Sequence, residues 1–250
     1  TKSKNYRAYF NRAIIYDGLE KYDKAIEDYS KCIELDPEDL DAYIRRANIY
    51  VDREEYDKAL EDFAKCIEIN PEYPNTYYYR TTIYENLEKY DLALSDYNKA
   101  VELDPDAASY YEYRADLYVF LEENSKALLD YSKCIELYPN SAYYLNNRGD
   151  FHRDIGGYDN ALADYASVLE LPDISDYDKC RTFNNRAIVY NDLGDFELAI
   201  KEYSIIIDDY SEELESDDLA LTYRNRGLTY EDLEQYELAL SGYNKAAELD

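Results

Sequence analysis

The sequence predicts an all-α fold, a helical solenoid made of seven copies of one helix-turn-helix unit. Three observations carry this. Pro37, Pro71, Pro105 and Pro139 are spaced by 34 residues, and Arg12, Arg46, Arg80, Arg114 and Arg148 keep the same step, a period that marks stacked supersecondary units. Apolar residues within each unit recur with helical spacing. Only seven glycines and six prolines occur in 250 residues, so helix breakers are nearly absent from the periodic segments.

The first unit, approximately 6–39, shows the pattern in full. Tyr9, Ala13 and Tyr16 recur at i, i+4 and i+7, one face of a first helix. After the junction Leu19-Glu20-Lys21, a second helix carries Tyr22, Ala25, Ile26, Tyr29, Cys32 and Ile33 on one stripe, and Pro37 closes the unit. The second unit (40–73) repeats the first helix as IRRANIY, the third (74–107) as YRTTIY and the fourth (108–141) as YRADLY. The fifth (142–175) has NRGDFH, in which His152 stands where the other six units have tyrosine. The sixth (180–213) and seventh (220–250) have NRAIVY and NRGLTY. The arginine step lengthens to 38 at Arg186 and 40 at Arg226. Insertions of four and six residues therefore fall around 171–179 and 210–219, either as an extra turn on the first helices or as acidic surface loops. Helices of about four turns are too short to be stable alone, so each unit must bury its apolar edges against its neighbours. Ala25, Ala59, Ala93, Ala127, Ala161, Ala199 and Ala239 hold one small place in all seven units, each followed four residues later by Tyr or Phe, the alternation of close-packed helices.

A unit of 34 residues with aromatic, small, aromatic, then alanine, aromatic, small and a closing proline resembles the tetratricopeptide repeat over nearly the whole chain. The resemblance implies a single right-handed solenoid over 1–250 whose first helices line a concave surface. It also implies a protein-interaction role without chemistry. Two departures stand out. Family members often carry Gly between the two helices; Gly156 and Gly194 match, whereas Glu20, Glu54, Glu88, Glu122 and Glu234 do not, which predicts a tighter helical turn with no left-handed residue. The family's carboxylate clamp for heat-shock chaperone tails needs Lys and Asn where this chain has Glu112 and Asp116, ahead of Asn147 and Arg181. Such tails are not expected partners.

The chain has 56 acidic against 27 basic residues, a formal net charge of −29. Nucleic acid and anionic membrane surfaces are excluded as partners on this ground, because both are bound through clustered Lys and Arg; the spread acids read first as a solvated surface, with attraction to a basic protein or peptide as the sharper alternative. Within these residues there is no membrane-length apolar run and no charged-then-apolar leader, which leaves an upstream targeting segment open. A chain that begins at Thr1 and lacks methionine is expected to be processed or part of a longer protein. Cys32, Cys66 and Cys134 share one place, filled by Ala100 and Ala246 in two other units, and read as small core residues and free thiols, which favour a reducing, cytoplasmic setting. No CxxC pair accompanies the lone histidine, so neither a metal nor another cofactor is expected. No nucleophile has a base at recognisable spacing, so an enzyme is not expected either.

The repeating arginine has a repeating companion. An acid precedes the second-helix aromatic at Asp28, Asp62, Asp96, Asp130, Asp164 and Glu202, failing only at Gly242. Each arginine is expected to lie along apolar surface and pair with one of these carboxylates. The loss at Gly242, where no further arginine follows, favours pairing with the preceding unit's acid.

Of 33 tyrosines, 22 fall on four packing places. Among the rest, Tyr78, Tyr79, Tyr113 and Tyr143 fall on places that line the concave surface in proteins of this kind, and tyrosine suits an interface because it is large, rigid and polar-tipped. The same surface is expected to carry asparagines such as Asn11, Asn147 and Asn185, arginines such as Arg45 and Arg181, and the acids Asp52, Glu85, Glu112, Asp116, Asp150, Asp154 and Asp192. Asparagine both donates to and accepts from an extended backbone. The candidate ligand-binding set is therefore Asn11, Arg45, Tyr78, Tyr79, Tyr113, Tyr143, Asn147, Arg181 and Asn185, for a peptide or partner segment centred on the third to fifth units. The alternative is an assembly module: the last helix, Tyr236 to Leu249, has no polar capping helix after it, so self-association through the C-terminal face is the second expectation.

Overall fold

The computed structural model describes residues 4–212 and 214–249, which form fourteen α-helices. They fall into two compact units, Thr1–Leu121 and Glu122–Asp250. The first holds α1 (Lys4–Gly18), α2 (Tyr22–Leu35), α3 (Leu40–Asp52), α4 (Tyr56–Ile69), α5 (Pro74–Asn86), α6 (Tyr90–Leu103) and α7 (Ala108–Phe120). The second holds α8 (Asn124–Leu137), α9 (Ala142–Asp154), α10 (Tyr158–Leu169), α11 (Asp176–Leu193), α12 (Phe196–Tyr210), α13 (Ser216–Asp232) and α14 (Tyr236–Leu249). In the first, α1/α2, α3/α4 and α5/α6 are hairpins stacked so that α2 meets α3, α4 meets α5 and α6 meets α7, with α3 also touching α5. In the second, α9/α10, α11/α12 and α13/α14 stack in the same way, with α9 against α11. First helices thus neighbour first helices, and each unit is a short solenoid.

The core lies where the sequence pattern puts it. Ala13, Ala25 and Tyr29 of the first hairpin close on Ile49 of the next, and Ala161 and Tyr165 close on Val189. All seven alanines of the small place are buried, as are all four cysteines. Burial pushes the Cys66 thiol up to about 12 and the Cys180 thiol to about 11. His152 is buried in the tyrosine place, and burial holds its imidazole below the ordinary histidine range. Junction tyrosines add specific ties: Tyr77 Oη donates to the Pro71 carbonyl at 2.9 Å, and Tyr111 Oη to the Pro105 carbonyl at 3.3 Å.

The turn inside each hairpin corrects the sequence expectation. Glu20, Glu54, Glu88, Glu122 and Glu234 all adopt positive φ, between 55° and 59°, matching the left-handed Gly156 and Gly194. The reason is the hydrogen-bond closure. Glu54 N donates to the Val51 carbonyl and Glu55 N to the Tyr50 carbonyl, both at 2.8 Å, the paired closure of a Schellman motif, which needs a left-handed residue whatever its side chain. Lys89 to Tyr84, Gly157 to His152, Asp195 to Tyr190 and Gln235 to Tyr230 repeat the longer bond.

The four-residue insertion and four residues of the six-residue one lengthen first helices. α3, α5, α7 and α9 each begin six residues before their arginine, whereas α11 and α13 begin ten before Arg186 and Arg226, so each gains four residues, about one turn. Ser175 caps α11, its Oγ accepting from the Asp178 N–H at 3.1 Å.

The arginines pair within their own repeat, and the cross-repeat preference is wrong. Arg46 Nε and Nη2 donate to the two Asp62 oxygens at 2.9 and 2.7 Å. Arg12 with Asp28, Arg80 with Asp96 and Arg148 with Asp164 make the same two-pronged bond, always sixteen residues apart. The link to the preceding repeat exists through a different acceptor: Arg46 Nη1 donates to Ser30 Oγ at 2.8 Å, Arg114 Nη1 to Asn98 Oδ1 at 2.7 Å and Arg148 Nη1 to Ser132 Oγ at 3.1 Å. In the first three hairpins the guanidinium also sits between two rings of its own helix, as Arg80 does at 5.9 Å from Tyr77 and 5.4 Å from Tyr84, and as Arg12 and Arg46 do. Glu202, one methylene longer, gives Arg186 a single bond and leaves Arg186 Nε and Glu202 Oε2 buried without partners. In the last hairpin the acid is absent for a steric reason. A Cβ at Gly242 would lie 3.0 Å from the Tyr223 carbonyl oxygen and 3.3 Å from Gly227 Cα, so a side chain there would press the α13 backbone away from α14.

Candidate functional site: an aromatic face with a buried carboxylate

In the first unit, three sequence-selected tyrosines come together. Tyr78, on α5, is the hub, with ring centroids 5.3 Å from Tyr79, 5.1 Å from Tyr113, 5.7 Å from Tyr110 and 6.4 Å from Tyr97. The period brings them together: residues 34 or 35 apart on adjacent first helices lie side by side, so Tyr79 and Tyr113 share one column and Tyr78 reaches between them. Tyr79 is half-buried against the α3/α4 core, while Tyr113 is 42% exposed. Burial, then hydrogen bonding to Tyr113, pushes the Tyr78 hydroxyl well above the ordinary tyrosine range, so it stays a neutral donor.

Beside this cluster, α5, α6 and α7 frame an open cleft of about 380 Å³, lined by Glu85, Tyr90, Tyr97, Tyr113, Asp116 and Phe120 among others. Tyr97 Oη donates to Glu85 Oε1 at 2.7 Å. Burial raises the Glu85 carboxyl above its ordinary range against the Tyr97 hydrogen bond, and the Asp116 charge raises it further. Tyr90 and Phe120 meet at 5.2 Å. Sequence reasoning placed Glu85 and Asp116 on this surface, assigned Tyr90 and Tyr97 wholly to the core, and passed over Phe120. A signal for Phe120 exists: the same place holds Gly18, Asp52, Asn86, Asp154, Asp192 and Asp232 in the other repeats.

In the second unit, Arg181 and Asn185 converge on Asp150, and Asn147 joins them through Arg181. Asn185 Nδ2 donates to Asp150 Oδ1 at 2.7 Å, Arg181 Nη2 to Asp150 Oδ2 at 3.1 Å and to Asn147 Oδ1 at 3.0 Å, and Tyr165 Oη to Asp150 Oδ1 at 2.6 Å. These side chains spend hydrogen-bonding capacity on one another, which fixes α9 to α11. Arg181 also lines a hollow beside the lengthened α11 and α13, with Tyr177 and Asp218. The other sequence-selected residues stand apart. Asn11 is exposed on α1, Arg45 is exposed on α3 with its guanidinium 5.7 Å over the Phe10 ring, and Tyr143, in the second unit, packs edge-on to Tyr144 at 5.2 Å. Among the described residues no group of three His, Cys, Asp or Glu is placed to hold a metal ion, and no helix is long and apolar enough to cross a membrane.

This architecture of stacked hairpins with a single recurrent aromatic-and-small pattern defines a helical-repeat binding scaffold. The chain belongs to the tetratricopeptide repeat family, whose models match residues 6–39, 40–73, 74–107, 108–141 and 178–250. Its general role is that of a protein-interaction scaffold. No curated protein sequence matches it significantly. Among solved structures, a tetratricopeptide repeat protein from Parabacteroides merdae is 18% identical with TM-score 0.63, covering 99% of this chain and 94% of that one. Pseudomonas aeruginosa PilF is 15% identical with TM-score 0.61, covering 93% and 97%. YrrB, described as a tetratricopeptide repeat protein with an unusual peptide-binding site, is 25% identical with TM-score 0.54, covering 73% and 93%.

Proposed function

We propose that the chain is a non-catalytic scaffold that holds a peptide or extended partner segment against its first-helix face, with the tyrosine cluster of the first unit as the principal contact. The observation that carries this reading is the Tyr78-centred cluster, which presents Tyr113 to solvent from a rigid, ring-packed base. Pre-ordered aromatic surface binds at low entropic cost, and Tyr is enriched among residues that dominate binding energy. The similarity to a protein described as peptide-binding agrees with it. Random peptides selected for binding to the intact chain are expected to lose about tenfold in affinity on Tyr79→Ala with Tyr113→Ala, with helical circular dichroism unchanged. Unaltered affinity in that variant removes the tyrosine face from the account.

A second reading, self-association through α14, has its own observation. Leu240 is 60% exposed, whereas Ile26, Leu60 and Leu94 at the same place are half-buried. Light scattering that reports a strict monomer at high concentration removes it.

A further inference from the structure

We infer that the cleft between α5, α6 and α7 is a receptor for one cationic side chain, a guanidinium or ammonium, of the bound segment. This deepens the proposed function and rests on it. The chain's own arginines display the chemistry. Arg46 is held by the Asp62 carboxylate and lies 5.8 and 6.0 Å over the Tyr43 and Tyr50 rings, and Arg80 repeats the arrangement with Asp96, Tyr77 and Tyr84. A ring face attracts a cation through its quadrupole, more strongly where water is excluded, and a carboxylate adds a charge-assisted hydrogen bond. The cleft offers the same two ingredients with no lysine or arginine in its lining: the rings of Tyr90, Tyr113 and Phe120, and the carboxylate of Glu85.

Glu85 is the centre of the cleft's charge. Only its Oε1 is engaged, by Tyr97, and Oε2 has no hydrogen-bond partner among the described residues. Half-buried and near Asp116, its charge is poorly compensated, and an incoming cation compensates it. Phe120 supplies the second observation. It is 65% exposed, at the end of α7, in a column that is otherwise glycine or polar. Most of its ring is left in solvent, and its contact with Tyr90 completes an aromatic wall along the cleft. Nor does the acidic surface as a whole substitute for this site, because a diffuse field attracts cations without localising them.

The test uses the full chain and a short Gly/Ser peptide with one central arginine, followed by nuclear magnetic resonance titration, with a citrulline version as the neutral isostere. Saturable shifts confined to the cleft, absent with citrulline, are expected. Glu85→Gln preserves an acceptor for Tyr97 and removes the charge, and it is expected to weaken binding on the order of fivefold. Glu72→Gln, which removes the same charge from an exposed place, is expected to change it little. Phe120→Ser is expected to weaken binding without lowering the melting temperature. Equal affinities for the two glutamate variants, or shifts scattered over the acidic surface, overturn the proposal. If arginine and citrulline peptides bind equally and both are lost in Tyr113→Ala, the tyrosine face stands and the cation receptor falls.

Discussion

At the scale of the residue, the repeated arginine separates location from energetics. Arg12 and Arg46 occupy the same place and make the same two-pronged bond to an aspartate, yet the Arg12 side chain is 55% exposed and the Arg46 side chain, which also reaches Ser30, 18%. An exposed pair contributes little, while removing one member of a buried pair strands the other. Arg46→Ala is therefore expected to cost on the order of 3 kcal/mol at pH 7, measured by denaturant unfolding, and Arg12→Ala far less. The penalty also has a pH signature. Burial, then the Glu61 charge, raises the Asp62 carboxyl, and Arg46 opposes the rise. Without Arg46 the folded-state value climbs further above the unfolded one. A raised carboxyl contributes stability below the unfolded value and loses it as pH rises through the folded one. The Arg46→Ala penalty should consequently be small near pH 4 and grow towards neutrality. A penalty independent of pH would place the cost in lost packing rather than in a stranded charge.

At the scale of the element, the hairpin turn is the strained part. Five of the seven turns hold glutamate at positive φ, where a side chain costs roughly 1–2 kcal/mol. Glu54→Gly is thus expected to stabilise the chain by about 1 kcal/mol, less the extra unfolded-state freedom of glycine, and a lowered unfolding midpoint would show that the Glu54 side chain holds the turn. These turns explain what was legible in the sequence and what was not. The helices, their period, their buried alanines and cysteines and the tetratricopeptide pattern follow from one-dimensional spacing. The left-handed glutamates do not, because propensity argues for glycine there and only the closure onto Tyr50 and its equivalents overrides it. The arginine's partner was equally hidden: from Arg46 to Arg186 an acid of the series lies on both sides of each arginine, and the period does not choose between them. Within the site, Tyr79 and Tyr113 were readable as a column, with Tyr78 beside them. The Asp150 hub and the Glu85 cleft arise where three helices converge, which no single stripe records.

At the scale of the whole molecule, charge and fold pull in opposite directions. A net charge of −29 destabilises a compact state through self-repulsion, while the attractive pairs are of two kinds. Lys31–Glu34, Lys65–Glu68, Lys99–Glu102 and Lys245–Glu248 are exposed i, i+3 pairs on second helices, and salt weakens them. The arginine pairs on buried aspartates, such as Arg46–Asp62 and Arg80–Asp96, are screened much less. Long-range repulsion among unpaired surface carboxylates is the contribution that salt removes most completely, since it acts over distances beyond the Debye length of about 8 Å at physiological ionic strength. Thermal stability should therefore rise with sodium chloride from low ionic strength and level off near 0.2 M, roughly where screening reaches neighbouring charges. A fall in melting temperature over that range would mean that the exposed Lys–Glu pairs outweigh the net repulsion. The same salt series bears on the cleft: attraction of an arginine peptide by the diffuse field should fade across it, whereas binding beside half-buried Glu85 should be retained in larger part.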